Sequence, residues 1–307
     1  MTKVRDFLGP YRLARLIRVG SSCQVWEAIE SESQERFALK VLRPDHAKDR
    51  MEISYLKNEY EIAKPLSHPN VIKIYDLVLE SETPFLVLEL FSELNMKQAL
   101  RRGPESIAYM LEKIILQCAE GLYYFHSKGY VHCDIKPDNF LVSRDGEVKL
   151  IDFTISQKIK KGLSKMLARR NRSVQGTRSY MSPEQIRGLP LDERSDIYSF
   201  GCVLFEAVTG KLPYTGDNPT DLLQKHISAP IPSPLVINDN ITPEFCAIIK
   251  SMMAKRREDR PQSMWDLIKT FRVTRIFKSP PRIPEHSIFD DFPTAGRVQS
   301  QQGQGTK

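Results

Sequence analysis

His132-Cys133-Asp134-Ile135-Lys136-Pro137-Asp138-Asn139 is followed, thirteen positions after the Asn, by Asp152-Phe153-Thr154. Moving the γ-phosphoryl group of ATP to a hydroxyl requires a carboxylate to accept the hydroxyl proton and oxygen ligands to hold Mg²⁺ against the phosphates. Asp134 fits the first part and Asn139 and Asp152 the second, with Lys136 close enough to steady the transferring phosphate. Oxygen donors suit Mg²⁺, which keeps several waters and shares its shell with phosphate. The run Glu147 to Ile151 alternates and then turns apolar, which puts Asp152 at a strand end facing a cleft.

One such loop is a weak signal, because short polar loops recur and aspartates often serve only as turn formers. Its company makes it strong. Upstream, Phe37-Ala38-Leu39-Lys40 reads as a strand carrying a phosphate-pairing lysine. Nineteen residues later, Glu59 lies in the helical pattern Ile53, Leu56, Tyr60, Ala63, within reach of an ion pair to Lys40. Downstream come Gly176 to Glu184, closing on Ser-Pro-Glu, then Asp196-Ile197-Tyr198-Ser199-Phe200-Gly201 and Asp259-Arg260-Pro261.

With these motifs in this order, from about Tyr11 to Phe271, the chain resembles the eukaryotic-type protein kinase superfamily, and most closely its bacterial Ser/Thr members. The resemblance implies an α+β, two-lobed fold: a small antiparallel β-sheet lobe with one main helix over residues 11–90, and a larger, mostly helical lobe over 91–272. It implies a Ser/Thr protein kinase using ATP and Mg²⁺, with Mn²⁺ as the alternative ion, and Lys136 favours Ser/Thr over Tyr. Lys40, Glu59, Asp134 and Lys136 are the expected catalytic residues, and Asn139 and Asp152 the expected metal ligands. Asp196 is expected to hold the catalytic-loop backbone and Arg260 to pair with Glu184. Nucleotide contacts are expected along Ile17, Arg18, Val19, Gly20, Ser21, Ser22, Cys23, Gln24 and Val25. Further contacts are expected from Ala38 and Lys40 above, Leu88, Glu89 and Phe91 at the hinge, and Leu141 below.

Three places depart from the family pattern. The Gly-x-Gly-x-x-Gly loop keeps only Gly20, so side chains stand where a backbone is to approach phosphate. Cys133 replaces the Arg that commonly pairs with an activation-segment phosphate, and a thiol forms no such ion pair; activity independent of that phosphorylation is expected. Thr154 replaces the glycine of Asp-Phe-Gly, and a β-branched residue resists φ > 0, which hinders a flip of Asp152 out of the site. These changes also frame the alternative function, a pseudokinase acting as an ATP-binding or scaffolding module. A small-molecule phosphotransferase of the aminoglycoside-kinase type is the third reading, against which Ser-Pro-Glu and the Asp196 helix count.

The 307 residues, 41% hydrophobic and 27% charged, are ordinary globular usage. Five scattered cysteines without Cys-x-x-Cys argue against a zinc site or disulfide framework and for a reducing, cytoplasmic setting. No signal peptide is read in the lead of residues 1–10, and no apolar run approaches a membrane span. Between Phe153 and Pro183 there is no acidic residue but eight basic ones, enough to account for the net charge of +7 and to favour acidic protein substrates. The basic run lacks interleaved aromatics, so nucleic acid is not an expected partner. Residues 273–307, with Pro280, Pro281, Pro284 and Pro293, read as a disordered tail in which Ile288 to Phe292 is a candidate docking segment.

Overall fold

A computed structural model describes residues 7–159 and 176–291 of the chain. Its first part is an antiparallel sheet in the order β1-β2-β3-β4-β6-β5, from β1 (Phe7–Leu8), β2 (Tyr11–Val19), β3 (Cys23–Glu30), β4 (Arg36–Leu42), β5 (Ile74–Val78) and β6 (Phe85–Glu89). Strand alternation splits the apolar residues between two faces. Leu39, Val41, Phe85 and Val87 fill an outer core with Ala28 and Leu8, whereas Ala38, Leu86 and Leu88 join the main core on the inner face. Register places Lys40 opposite Val25 on one side and Leu86 on the other, and Ala38 opposite Leu88. Ala38 and Lys40, two apart, therefore share the inner face.

Helix α1 (Arg50–Ala63) begins where the Asp49 side chain accepts the Met51 N–H, with Glu52 favourably placed in its first turn. Leu56, Ile62 and Ala63 face the core, and the same stripe carries Glu59 inward, 1% exposed. An acid on an apolar face needs a partner.

The second part is mainly helical: α2 (Met96–Ala99), α3 (Glu105–Ala108), α4 (Leu111–Ser127), α5 (Pro183–Ile186), α6 (Glu193–Thr209), α7 (Pro219–Ser228), α8 (Pro243–Met252) and α9 (Met264–Phe271). Short strands β7 (Leu94–Asn95), β9 (Phe140–Val142) and β10 (Val148–Leu150) form one small sheet, and β8 (Tyr130–Val131) pairs with β11 (Gln157–Lys158) in another. Helix α6 is buried along nearly its whole length and ends at Gly210, whose φ of 69° suits glycine. A Cβ on Gly201 would stand 2.9 Å from Met252 Cβ, so this glycine lets α6 and α8 approach closely.

The structure departs from the expected tail between residues 273 and 291. Ile276, Phe277, Ile288 and Phe289 are buried, and Thr242 N–H donates to Ile276 O at 2.9 Å. Arg144 pairs with Asp290 at 2.7 Å, and Arg102 with Asp291. The prolines made this stretch read as a disordered tail, but apolar pairs at both ends anchor it to the helical part. That corrects the disorder expectation for 273–291, and Ile288 and Phe289 are spent inside the chain; Phe292 lies outside the described residues.

Candidate active site

Between the sheet and the helical part lies a cavity of about 570 Å³. Ile17, Arg18, Gly20, Ser21, Ser22, Cys23, Val25, Ala38 and Lys40 line it from the sheet, Leu88 and Glu89 from the end of β6, Phe91 from the segment that follows, and Leu141, Asp134, Lys136 and Asp152 from below. Two expected contact residues do not reach it. Val19 is 57% exposed, and the Gln24 side chain instead accepts from Trp26 Nε1 at 3.2 Å. Both lie on the face of their strands turned from the cleft. Arg18 leans across it, its Nη2 3.9 Å from Asp138 Oδ1.

Lys40 Nζ stands 2.6 Å from Glu59 Oε2 and 3.1 Å from Asp152 Oδ1. Burial disfavours the Lys40 cation, but Asp152 and Glu59 outweigh it and hold its pKa well above the usual lysine range. Burial likewise raises the Asp152 carboxyl, and Lys40 with the Thr154 hydroxyl overrides this to hold it well below the carboxylate range. Asp152 thus stays ionised in a buried place, with a φ of 68° that Asp tolerates better than most residues.

The loop from His132 to Asn139 is held from beneath. Asp196 of α6, 1% exposed, accepts His132 N–H at 2.7 Å, Cys133 N–H at 3.0 Å and His126 Nε2 at 2.8 Å. These bonds and Gln185 Nε2 donating to Cys133 O at 2.7 Å hold Cys133 at a φ of 70°. His132 Nδ1 accepts Asp134 N–H at 3.3 Å, so Nε2 carries the hydrogen and donates to Ile151 O at 3.1 Å. Asp134 is then set among donors: Lys136 Nζ at 2.6 Å, Thr177 N–H at 2.9 Å and Asn139 Nδ2 at 3.3 Å. Thr177 Oγ1 lies 3.0 Å from Asp134 and 2.9 Å from Lys136, which shows that an aliphatic hydroxyl fits between the two.

Asn139 sits below the cavity, its Nδ2 donating to Asp134 O at 2.8 Å, and its backbone O accepts from Ile151, the residue before Asp152. Among the described residues its buried Oδ1 has no hydrogen-bond partner. An orphaned amide oxygen is a donor of the kind hard cations take. Among the described residues no cluster of three His, Cys, Asp or Glu side chains could hold a metal ion by itself.

Cys133 Sγ accepts from Gln157 Nε2 at 3.4 Å, and burial raises its thiol pKa well above normal. Further off, Arg260 makes a buried two-point contact to Glu184, at 2.7 and 3.0 Å. Sequence reasoning did not assign a site role to Thr177, nor to Asn58 of α1, whose Nδ2 donates to Thr154 O at 3.0 Å. Of the eight basic residues after Phe153, only Lys158 and Arg178 fall among the described ones.

A curled antiparallel sheet over a helical body, with a Lys–Glu pair above and a paired Asp–Lys and Asp–Asn below, defines a phosphoryl-transfer fold of two lobes. The chain belongs to the protein kinase domain family, whose model matches residues 11–271. It is 32% identical over 267 residues to a probable serine/threonine-protein kinase of Streptomyces coelicolor, covering 86% of this chain and 39% of that protein. Serine/threonine-protein kinase PknB of Mycolicibacterium smegmatis is 32% identical over 276 residues, with 86% and 42% covered. A probable serine/threonine-protein kinase of Clostridium acetobutylicum is 30% identical over 258 residues, with 84% and 39% covered. The chain thus spans about two fifths of the length of these relatives.

Proposed function

We propose that this chain transfers the γ-phosphoryl group of ATP to Ser or Thr hydroxyls of protein substrates. The observation that carries this reading is the convergence in one cavity of the Lys40–Glu59 pair, ionised Asp152 and the Asp134–Lys136 pair. Asp134 accepts the proton of the acceptor hydroxyl, and Lys136 offsets charge on the phosphoryl in flight. Lys40, held by Glu59, orients the α and β phosphates. Asn139 and Asp152 would hold Mg²⁺ or Mn²⁺, which would neutralise charge on the phosphate oxygens. Ile17, Val25, Ala38 and Leu141 sandwich the base. Glycines missing from the loop are offset by Ser21 and Ser22, small residues that line the cavity.

Activity independent of a phosphate read at residue 133 is part of the same reading. The Cys133 thiol and Gln157 amide make a neutral contact where a guanidinium would attract phosphate. A preference for acidic substrates rests on the basic run after Phe153, most of which lies outside the described residues. All five cysteines are free, which supports a reducing, cytoplasmic setting. No helix among the described residues is long and apolar enough to cross a membrane.

The test uses purified chain, first treated with phosphatase, with Mg²⁺ and labelled ATP and either an acidic or a basic protein substrate. Transfer to Ser and Thr without a lag, faster on the acidic protein, is expected. Nucleotide binding without transfer under any condition would mean a pseudokinase, and transfer to small alcohols alone a different phosphotransferase.

A further inference from the structure

Thr154 stands where the family motif has glycine, and its side chain enters the centre of the site. Its Oγ1 lies 2.6 Å from Asp152 Oδ1, 3.0 Å from Glu59 Oε2 and 3.2 Å from Lys40 Nζ. A hydroxyl has one hydrogen to give and lone pairs to receive. The shortest contact directs that hydrogen to Asp152, and Lys40, itself bonded to Glu59 Oε2 at 2.6 Å, donates to the oxygen. The hydroxyl thus joins Asp152 to α1 through Lys40, and the 3.0 Å approach to Glu59 carries no hydrogen of its own. One lysine faces two carboxylates here, and the hydroxyl supplies the extra donor that this imbalance calls for.

The same segment is gripped a second time. Asn58, beside Glu59 on α1, donates from Nδ2 to Thr154 O at 3.0 Å and reaches Ser156 O at 3.4 Å. Ser156 Oγ in turn donates to His132 O at 3.2 Å, so the grip continues into the catalytic loop. Thr154 is not among the non-glycine residues with positive φ, so it takes part without backbone strain. Its branched Cβ restricts χ1, which keeps the hydroxyl near its partners at little further entropy cost.

We propose that Thr154 is a positioning residue that latches helix α1 to Asp152, so that the Lys40–Glu59 pair and the metal-holding carboxylate move as one unit. A glycine has no hydroxyl for this link and leaves the backbone freer to turn Asp152 away. The role given to Asp152 rests on the phosphotransferase reading above; the latch itself is a contact of the protein without nucleotide.

The experiment compares the full chain with Thr154→Val, which keeps the shape and removes the hydroxyl, and Thr154→Ser, which restores it. Amide hydrogen exchange is followed without nucleotide in α1 and in residues 152–156, with α6 as the control for intact folding. In Thr154→Val both segments are expected to exchange about tenfold faster or more, the size of one hydrogen bond to a charged group, while α6 is unchanged. Thr154→Ser is expected to stay within about twofold of the parent. Adding Asn58→Ala to Thr154→Val should loosen both segments further. In the transfer assay, Thr154→Val is expected to raise the Mg²⁺ concentration for half-maximal rate about tenfold with a smaller change in kcat, as loss of an outer contact to a ligand does.

Unchanged exchange in Thr154→Val, loosening of one segment without the other, or equal behaviour of the Val and Ser variants would overturn the latch. An unaltered Mg²⁺ requirement in an otherwise active Val variant would overturn its positioning role. A parent chain that transfers no phosphate while its Val variant still shows coupled loosening would refute the proposed activity and leave the latch in place.

Discussion

Asp196→Asn removes one negative charge and changes almost no volume, so its effect reports on how the catalytic loop is held. The carboxylate serves three donors: His132 N–H and His126 on Oδ2, and Cys133 N–H on Oδ1. An amide offers one acceptor oxygen, so in either orientation its NH₂ confronts at least one buried backbone N–H. The change forfeits a charge-assisted hydrogen bond, about 1.5–3 kcal/mol, and strands a buried donor at about 1–3 kcal/mol, for a total of about 2.5–6 kcal/mol. The catalytic consequence follows from Cys133, whose φ of 70° persists only while its N–H and C=O are held. If that backbone relaxes, Asp134 shifts, and a displacement of about 1 Å at a reacting group costs about 100-fold in rate. Urea denaturation, read as a lower midpoint at unchanged slope, gives the first quantity, and initial rates with labelled ATP give the second. A loss below about 1 kcal/mol with undiminished transfer would refute the reasoning that Asp196 clamps the loop.

The buried His226 makes stability depend on acid. Burial first and the neighbouring Lys255 second lower its pKa from 6.5 to about 4, so the unfolded chain takes up a proton near pH 6.5 that the folded chain refuses. Its stabilisation is complete above pH 6.5 and is lost as the pH falls towards 4, by about 3 kcal/mol in all. His226→Gln should flatten that part of a stability-versus-pH curve, and an identical slope in the variant would count against it. Phe289, 1% exposed, anchors the C-terminal stretch, so Phe289→Ala should cost about 3–5 kcal/mol by denaturant midpoint. A free tail would make that substitution silent.

Residues with unusual chemistry in a fixed order were the legible part of the site. Lys40, Glu59, Asp134 and Asp152, far apart in sequence, were expected to share one site, and they line one cavity, with Asn139 bonded to Asp134 beside it. Strand β4 showed in the run Phe37 to Lys40, and β10 in the alternation from Glu147 to Ile151. The apolar run from Glu105 to Ser127 forms two helices, broken at Tyr109 and Met110, a local break that apolar spacing does not register. Thr154 read as a stiff replacement for glycine, whereas its hydroxyl contacts depend on Glu59, 95 residues away, and on a fold that brings α1 against it. The stretch 273–291 was misjudged because proline content speaks for a disordered tail, and only the tertiary structure shows a surface on which Ile276, Phe277, Ile288 and Phe289 bury.

The central claim is that Asp134 takes the proton in a phosphoryl transfer, and Asp134→Asn tests it with the least disturbance. The amide keeps an oxygen for Thr177 or for Lys136, not for both, and is a far weaker base. Transfer from labelled ATP should fall by at least about 100-fold, the contribution of a positioned general base, while nucleotide binding measured by calorimetry stays within about threefold. Transfer by Asp134→Asn at the parent's rate would contradict the assignment.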